Sequence, residues 1–316
     1  MPSSHALEDK QRQYIYGPVP SRRLGRSLGV DLIPYKVCTY DCVYCQLGRT
    51  TNKTMERRGW VPTREVVAQL KDKLTSKPDY ITLAGSGEPT LHGGISHLIR
   101  EIKTITDIPV AVITNGSLLW LPEVRESLAE ADLVVPSLDA GSEDMFHYVN
   151  RPHSQISFDQ MLRGLQEFRR LFRGRYWLEV FLLSGVTTVE GRVEALRACI
   201  EVISPDKVQV NTVVRPPAEG YAMPVSHDRL VEIASQLHPQ AEVIVPYPHL
   251  SDTDGSNMGC GEVLDLLRRR PCSIVDIATG LRLHPHEAAK CVGRLLSEQK
   301  VRAQEHEGVL YYEAVL

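Results

Sequence analysis

Between residues 28 and 237 the chain alternates six times between an apolar, β-branched run and an amphipathic stretch. The apolar runs, at 28–33, 80–84, 110–113, 133–138, 177–183 and 208–213, have the length of buried strands. The stretches that follow, at 64–75, 96–106, from Pro122, and at 158–172, 189–202 and 227–237, read as helices. In the first of them Val66, Val67, Leu70 and Leu74 fall near one face. Strand–helix alternation implies parallel strands with helices outside. Six units are too few for a closed eightfold barrel, so the predicted fold is α/β, an incomplete (β/α)6 TIM-like barrel. In such a barrel the loops after the strands carry the chemistry. Residues 38–45, residues 85–89, Asn115, Asp139 and Arg215 all fall on those loops.

Cys38, Cys42 and Cys45 form a C-x3-C-x2-C run, with Tyr44 just before the third. A [4Fe-4S] cube has four iron corners, each usually held by a thiolate. Three close thiolates leave one iron open to a substrate or cofactor. The tight spacing suits a loop wrapped around one small cluster. A structural zinc site wants four ligands, and no fourth Cys or His is near in sequence. Disulfides would leave one of the three over. Cys199, Cys260, Cys272 and Cys291 are scattered and are expected to be small buried hydrophobes.

Two further segments accompany the cysteines: Gly17, Pro18, Val19, Pro20, Ser21, Arg22, Arg23, and later Gly85, Ser86, Gly87, Glu88, Pro89, Thr90. Together they resemble the radical S-adenosylmethionine (AdoMet) superfamily, in the branch related to the wyosine-base synthetases of tRNA. The likeness spans residues 15–250, approximately. It implies a [4Fe-4S] cluster on Cys38, Cys42 and Cys45 whose open iron chelates AdoMet. One electron, from a reductant such as flavodoxin or ferredoxin, then yields a 5′-deoxyadenosyl radical that abstracts hydrogen from a substrate. The resemblance also implies that Gly85, Ser86, Gly87, Glu88 and Pro89 bind the AdoMet amino group, that Tyr44 lies near the adenine, and that Asn115, Ser137 and Asp139 contact the methionyl or ribose part. Independently, the glycines of the 85–89 segment allow close backbone approach to a ligand, and a carboxylate such as Asp139 suits a ribose diol. The chain departs from the synthetase pattern in two respects. No second cysteine triplet precedes Cys38, and no lysine is placed to form a Schiff base.

At 316 residues, 42% hydrophobic and 24% charged, the composition is that of a soluble globular protein with one large and one small domain. No run reaches the length of a membrane span, and residues 1–14 lack a signal-peptide apolar region, so a reducing cytoplasm is the expected location. The net charge is −3, yet residues 1–64 hold eleven basic and five acidic side chains. A basic rim there would attract a phosphate-rich substrate, an acidic peptide or an acidic electron donor. On later loops Arg151 and Arg215 suit a carboxylate or phosphate clamp, or internal ion pairs. Glu179, Gln209 and Asn211 interrupt apolar strands and are expected to face the cavity.

Pro246, Pro248, Asp252, Asp254, Gly255 and Ser256 mark a linker. The predicted division is a barrel over 1–250, a linker over 251–258 and a winged helix over 259–316. In the last, helices are expected at 262–269, at 274–279 after a Ser273 cap, and at 285–299, with a turn at Gly280 and strands at 301–304 and 309–312. Its eight basic and eight acidic residues make a neutral module, which suits a peptide as well as a nucleic acid. Three readings follow. The first is a radical AdoMet enzyme, with RNA as the substrate to which the family likeness points. The second is a peptide- or protein-modifying enzyme of the same kind. The third is an iron–sulfur transcriptional sensor.

Overall fold

In the computed structural model the described residues are 13–244, 260–281, 283–306 and 308–315, so the expected linker at 251–258 lies outside them. Strand β1 (Ile15–Ser21) runs antiparallel to β2 (Gly25–Val30). Two short strands, β3 (Val37–Cys38) and β4 (Asn52–Lys53), pin the loop that follows. Helix α1 (Thr63–Lys73), β5 (Tyr80–Leu83), α2 (Ile95–Ile105), β6 (Val110–Thr114), α3 (Pro122–Ser127), β7 (Leu133–Pro136), α4 (Glu143–Val149) and α5 (Phe158–Leu171) come next. The series ends with β8 (Arg175–Leu182), α6 (Glu190–Ile203), β9 (Lys207–Thr212), α7 (His227–Leu237) and β10 (Ala241–Val243). The sheet order is β1-β2-β5-β6-β7-β8-β9-β10, and every pair after β1–β2 is parallel. This is the partial TIM barrel with its six expected strands, extended by one edge strand on each side.

Burial explains the pattern. Leu133, Val134 and Val135 of β7 are all fully buried, as are Val110, Ala111 and Val112 of β6. Strands covered on both faces read as continuous apolar runs rather than alternating ones. In α2, Ile95, Leu98, Ile99 and Ile102 repeat at helical spacing and bury one face against the sheet. Helix α5 opens on a capping box between Ser157 and Gln160, then buries Met161, Leu165 and Phe168.

Several expected boundaries move, two of them for a clear physical reason. The first strand stops at Val30 rather than continuing to Ile33, because Asp31 turns inward to bond Ser86. Gly280 lies inside a helix and does not turn the chain. There the packing of Ile277, Ala278 and Leu281 outweighs a propensity cost of about 1 kcal/mol.

After the barrel come α8 (Cys260–Arg269), α9 (Ile274–Leu281), α10 (Pro285–Ser297) and an antiparallel hairpin, β11 (Val301–His306) with β12 (Val309–Ala314). Their core of Val263, Leu266, Leu267, Ile277, Leu281 and Leu295 takes in Val19 of β1, so this unit is built onto the barrel's first strand. Cys260 and Cys291 are not separate buried side chains, since a disulfide joins them between α8 and α10. Among the described residues no helix is long and apolar enough to cross a membrane.

Candidate active site

Cys38, Cys42 and Cys45, three of the five free cysteines, lie on the loop after β2, which neighbouring loops hold from both sides. Asp41 N–H donates to the Asn150 carbonyl at 3.0 Å, Val43 N–H to Val149 at 2.9 Å, and His153 N–H to Thr39 at 2.8 Å. Thr54 N–H reaches the Cys38 carbonyl at 2.9 Å. Two amide side chains point at the sulfurs: Asn115 Nδ2 lies 3.6 Å from Cys38 Sγ, and Asn150 Nδ2 lies 3.6 Å from Cys42 Sγ.

Burial raises all three thiols, Cys38 to about 12, and for Cys38 and Cys42 the carboxylates of Glu88 and Asp139 add to it. Left alone these groups stay protonated. A bound metal reverses that balance, because its charge deprotonates a coordinating thiol. Soft sulfur donors on one loop, two of them facing amide N–H groups, fit an iron–sulfur cluster. Among the described residues no three His, Cys, Asp or Glu side chains are grouped to hold a single metal ion.

The segment after β5 is laid directly on this loop. Ser86 donates its N–H and hydroxyl to the Asp31 carboxylate, at 3.1 and 2.6 Å, and its carbonyl accepts from Lys36 N–H at 2.8 Å. A Cβ on Gly87 would stand 1.9 Å from the Val37 carbonyl oxygen, so only glycine fits there. Pro89 opens a short 3₁₀ turn, Pro89–Leu91.

Glu88 is buried and its carboxylate is fully engaged by its neighbours. Its carboxylate accepts from Thr90 N–H at 3.0 Å, the Thr90 hydroxyl at 2.7 Å, the Thr114 hydroxyl at 2.6 Å and Asn115 N–H at 2.7 Å. Burial still leaves its carboxyl above the usual range, although these donors pull it down. The geometry makes Glu88 a brace between the 85–89 loop and the end of β6.

Asn115 bridges β6 to the cysteine loop through Thr39 Oγ1, at 2.8 Å. Asp139 is buried beyond β7. It accepts from Tyr44 at 2.5 Å, from Asn150 Nδ2 at 2.7 Å and from Phe181 N–H at 3.2 Å. Burial nevertheless raises its carboxyl to about 6. The Tyr44 ring stacks on Phe181 with centroids 3.9 Å apart. Ser137 lies on the neighbouring β7 end, half-buried, bridged to Glu179.

The structure thus ties Tyr44, residues 85–89, Asn115 and Asp139 to the cysteine loop, while Ser137 stands at the end of β7 against Glu179. Arg151 is drawn off to Glu219 at 2.6 Å, an internal ion pair. Gln209 and Asn211 share one face of β9, where Gln209 donates its amide to Glu242 of β10 at 2.7 Å and Asn211 donates to Glu179 of β8 at 2.8 Å. Sequence reasoning gave no role to Asp31 or to the Asn150 side chain. Asp31 follows three buried strand residues, and a carboxylate placed there needs a partner.

The matches to known proteins agree with this architecture. The model for the Radical SAM superfamily matches residues 32–199. Over 303 residues the chain is 39% identical to a Brachyspira hyodysenteriae protein named GTPase Obg, covering 94% of this chain but 45% of that one. It is 37% identical to UPF0026 protein MJ1312 of Methanocaldococcus jannaschii, covering 69% of each. A more distant likeness, 27% over 198 residues, joins it to the dual-specificity RNA methyltransferase RlmN of Nitratidesulfovibrio vulgaris, with 58% of this chain and 52% of that one covered. Among solved structures, a radical SAM methyltransferase from Sphaerobacter thermophilus superposes with a TM-score of 0.54 at 17% identity, over 69% of this chain and 65% of that one, a likeness of fold. Superfamily members use a [4Fe-4S] cluster and AdoMet. With the family match spanning just over half of its residues, the chain belongs to the radical SAM superfamily and is an enzyme of that type.

Proposed function

We propose that this chain modifies RNA, with Cys38, Cys42 and Cys45 as the ligands of a [4Fe-4S] cluster and AdoMet bound beside it. The observation that carries the cluster in this reading is the paired amide contacts of Asn115 and Asn150 with two of the three cysteine sulfurs. When bound, the cluster and AdoMet supply one-electron chemistry that yields a 5′-deoxyadenosyl radical able to take hydrogen from a substrate.

The chain's own residues do the rest. Asn115 and Asn150 stabilise negative sulfur and hold the loop in register with β6 and α4. The 85–89 segment offers backbone polar groups to a zwitterionic amino acid, with Ser86 fixed by Asp31 and the loop braced by Glu88. Ser137 presents a hydroxyl, and Asp139 a carboxylate, at the next strand end, where a ribose would lie. Tyr44 holds Asp139 and closes one wall through Phe181. Buried walls such as these exclude water, which a primary radical requires.

RNA as substrate is supported by the RlmN likeness and by the basic character of residues 1–64. Arg49 and Arg58 are exposed near the cysteine loop, although each has an acidic neighbour, Glu219 at 2.6 Å and Glu56 at 3.7 Å. We take the unit expected at 259–316 as a winged helix and the enzyme as cytoplasmic, with flavodoxin or ferredoxin as electron donor.

The test is anaerobic. Protein reconstituted with iron and sulfide is given dithionite and AdoMet, and 5′-deoxyadenosine is measured by chromatography with Cys42→Ala as control. Formation by the wild type alone is expected. A fully loaded protein that forms none, with cell RNA present, overturns the reading. Steep salt dependence of RNA binding is expected as well, and shallow dependence would favour a peptide.

A further inference from the structure

The run from Gly17 to Arg23 holds two adjacent arginines whose placement the AdoMet site does not explain. The turn between β1 and β2 enters the barrel from the strands' N-terminal end, where Leu24 packs with Ala111, Leu133 and Val135. Arg22 and Arg23 extend from that turn to β8 and β9. Arg23 is spent on Glu179, with two parallel hydrogen bonds of 2.8 and 2.7 Å. Asn211 Nδ2 also donates to that carboxylate, at 2.8 Å.

Arg22 is therefore left beside a carboxylate already in use. It makes one hydrogen bond, from Nη1 to Asn211 Oδ1 at 3.1 Å, and among the described residues it has no ion-pair partner. Arg215, just beyond β9, is its charged neighbour. The Arg215 side chain is 10% exposed, with Nη2 at 3.5 Å from Asp276 Oδ1. Its Nη1 lies 3.4 Å from Gln46, the residue after Cys45, and among the described residues its buried Nε has no partner. Arg270, from the end of α8, acts on both arginines. Among the described residues these four guanidiniums thus share two carboxylates, Glu179 and Asp276, so that two positive charges there have no counter-ion. Burial, and then the neighbouring arginines, lower the Arg22 guanidinium to about 10. Buried charge without a counter-ion is costly, and a guanidinium fork matches a phosphate's geometry as well as its charge.

We infer that the substrate carries a phosphate group, and that Arg22 and Arg215, with Arg270 behind them, receive it in the barrel mouth. The inference rests on the radical-enzyme reading of this barrel and adds the place where the substrate's phosphate is held. A phosphate seated there lies one residue from the cysteine loop, through Gln46, and between the barrel and the C-terminal unit. It neutralises the charge excess and supplies the acceptor that Arg215 Nε lacks.

Calorimetry on the full chain, without cluster, tests this with inorganic phosphate, dimethyl phosphate and acetate at matched ionic strength. Phosphate is expected to bind one per chain, with acetate weaker by about tenfold or more. Arg22→Gln and Arg215→Gln are each expected to weaken phosphate by about tenfold or more, and Arg22→Lys, which keeps the charge but loses the fork, by several-fold. Dimethyl phosphate as tight as inorganic phosphate assigns a chain phosphodiester, and a much weaker response assigns a terminal phosphate. Should a glutamine variant melt early by circular dichroism, Arg22→Lys carries the comparison. No binding heat, acetate as tight as phosphate, or unchanged binding in Arg22→Lys overturns the proposal. Since the readout needs neither cluster nor AdoMet, its failure leaves the radical reading standing. Loss of 5′-deoxyadenosine with phosphate binding intact does the reverse.

Discussion

Arg269, at the end of α8, is ion-paired with Asp31, the same carboxylate that receives the N–H and hydroxyl of Ser86. The C-terminal unit therefore reaches the proposed AdoMet loop through a single intermediate. Asp31 is 2% and Arg269 16% exposed, so little water screens the pair. Removing one partner of a buried pair leaves the other uncompensated, at a cost of about 3–5 kcal/mol. Arg269→Ala should lower the urea midpoint accordingly and weaken AdoMet binding to the loaded protein. Arg269→Ala combined with Asp31→Asn should lose less than the two single changes added together. Strict additivity in that cycle would mean that the contact does not couple the two units.

Glu88 gathers four hydrogen bonds from three residues. Glu88→Ala strands two backbone N–H donors in a buried site and should cost about 2–4 kcal/mol, whereas Glu88→Gln keeps one acceptor and should cost about 1–2 kcal/mol. Denaturant melts of the cluster-free protein would show the ranking. Equal midpoints for Glu88→Ala and the wild type would remove Glu88 from its bracing role.

Gly87 and Gly93 form a matched pair for substitution. At Gly87 a Cβ would meet Val37 backbone at 1.9 Å, while at Gly93 the nearest atoms are 3.6 Å away. Gly87→Ala should cost about 1–3 kcal/mol through forced backbone shifts and reduce iron loading. Gly93→Ala should stay within about 0.5 kcal/mol of wild type. Iron and sulfide analysis after reconstitution, beside thermal melts, separates the two.

The Glu179 carboxyl has a pH signature. Burial works to raise it, but Arg23, with Asn211 and Arg22, outweighs burial and holds it below the ordinary carboxylate range. A carboxyl depressed by folding contributes stability that is complete above its unfolded value and lost as pH falls through its folded one. Wild-type protein should therefore lose melting temperature more steeply from about pH 6 to pH 3 than Arg23→Met with Glu179→Met. Parallel pH profiles would mean that the pair adds nothing to folding.

Much of the barrel was legible in the sequence because its strands are buried on both faces and its helices on one. The edges were not. Strand β1 contains Gly17, Pro18 and Pro20, residues that argue against a strand and that sheets tolerate at an edge. Strand β10 is three residues long, below what periodicity resolves. The cysteine loop and the 85–89 segment were visible as local spacing. The contacts that hold them were not, because Asn150 meets Cys42 across 108 residues and Arg23 meets Glu179 across 156. No local pattern records such pairs. Glu88 shows the converse case, a conspicuous acidic residue whose hydrogen bonds all go to the scaffold.

Val19 of β1 belongs to the core of the C-terminal unit, and this bears on the open edges of the sheet. An open barrel keeps two strand edges, and an uncovered edge is a template for another chain. Among the described residues one edge is the three-residue β10 and the other carries prolines and lies under α9. The C-terminal unit thus also acts as a guard against edge-to-edge aggregation. Cutting it away would uncover Val19 and Tyr16 together with the strand that bears them, so a shortened barrel should form oligomers even where its own core remains intact.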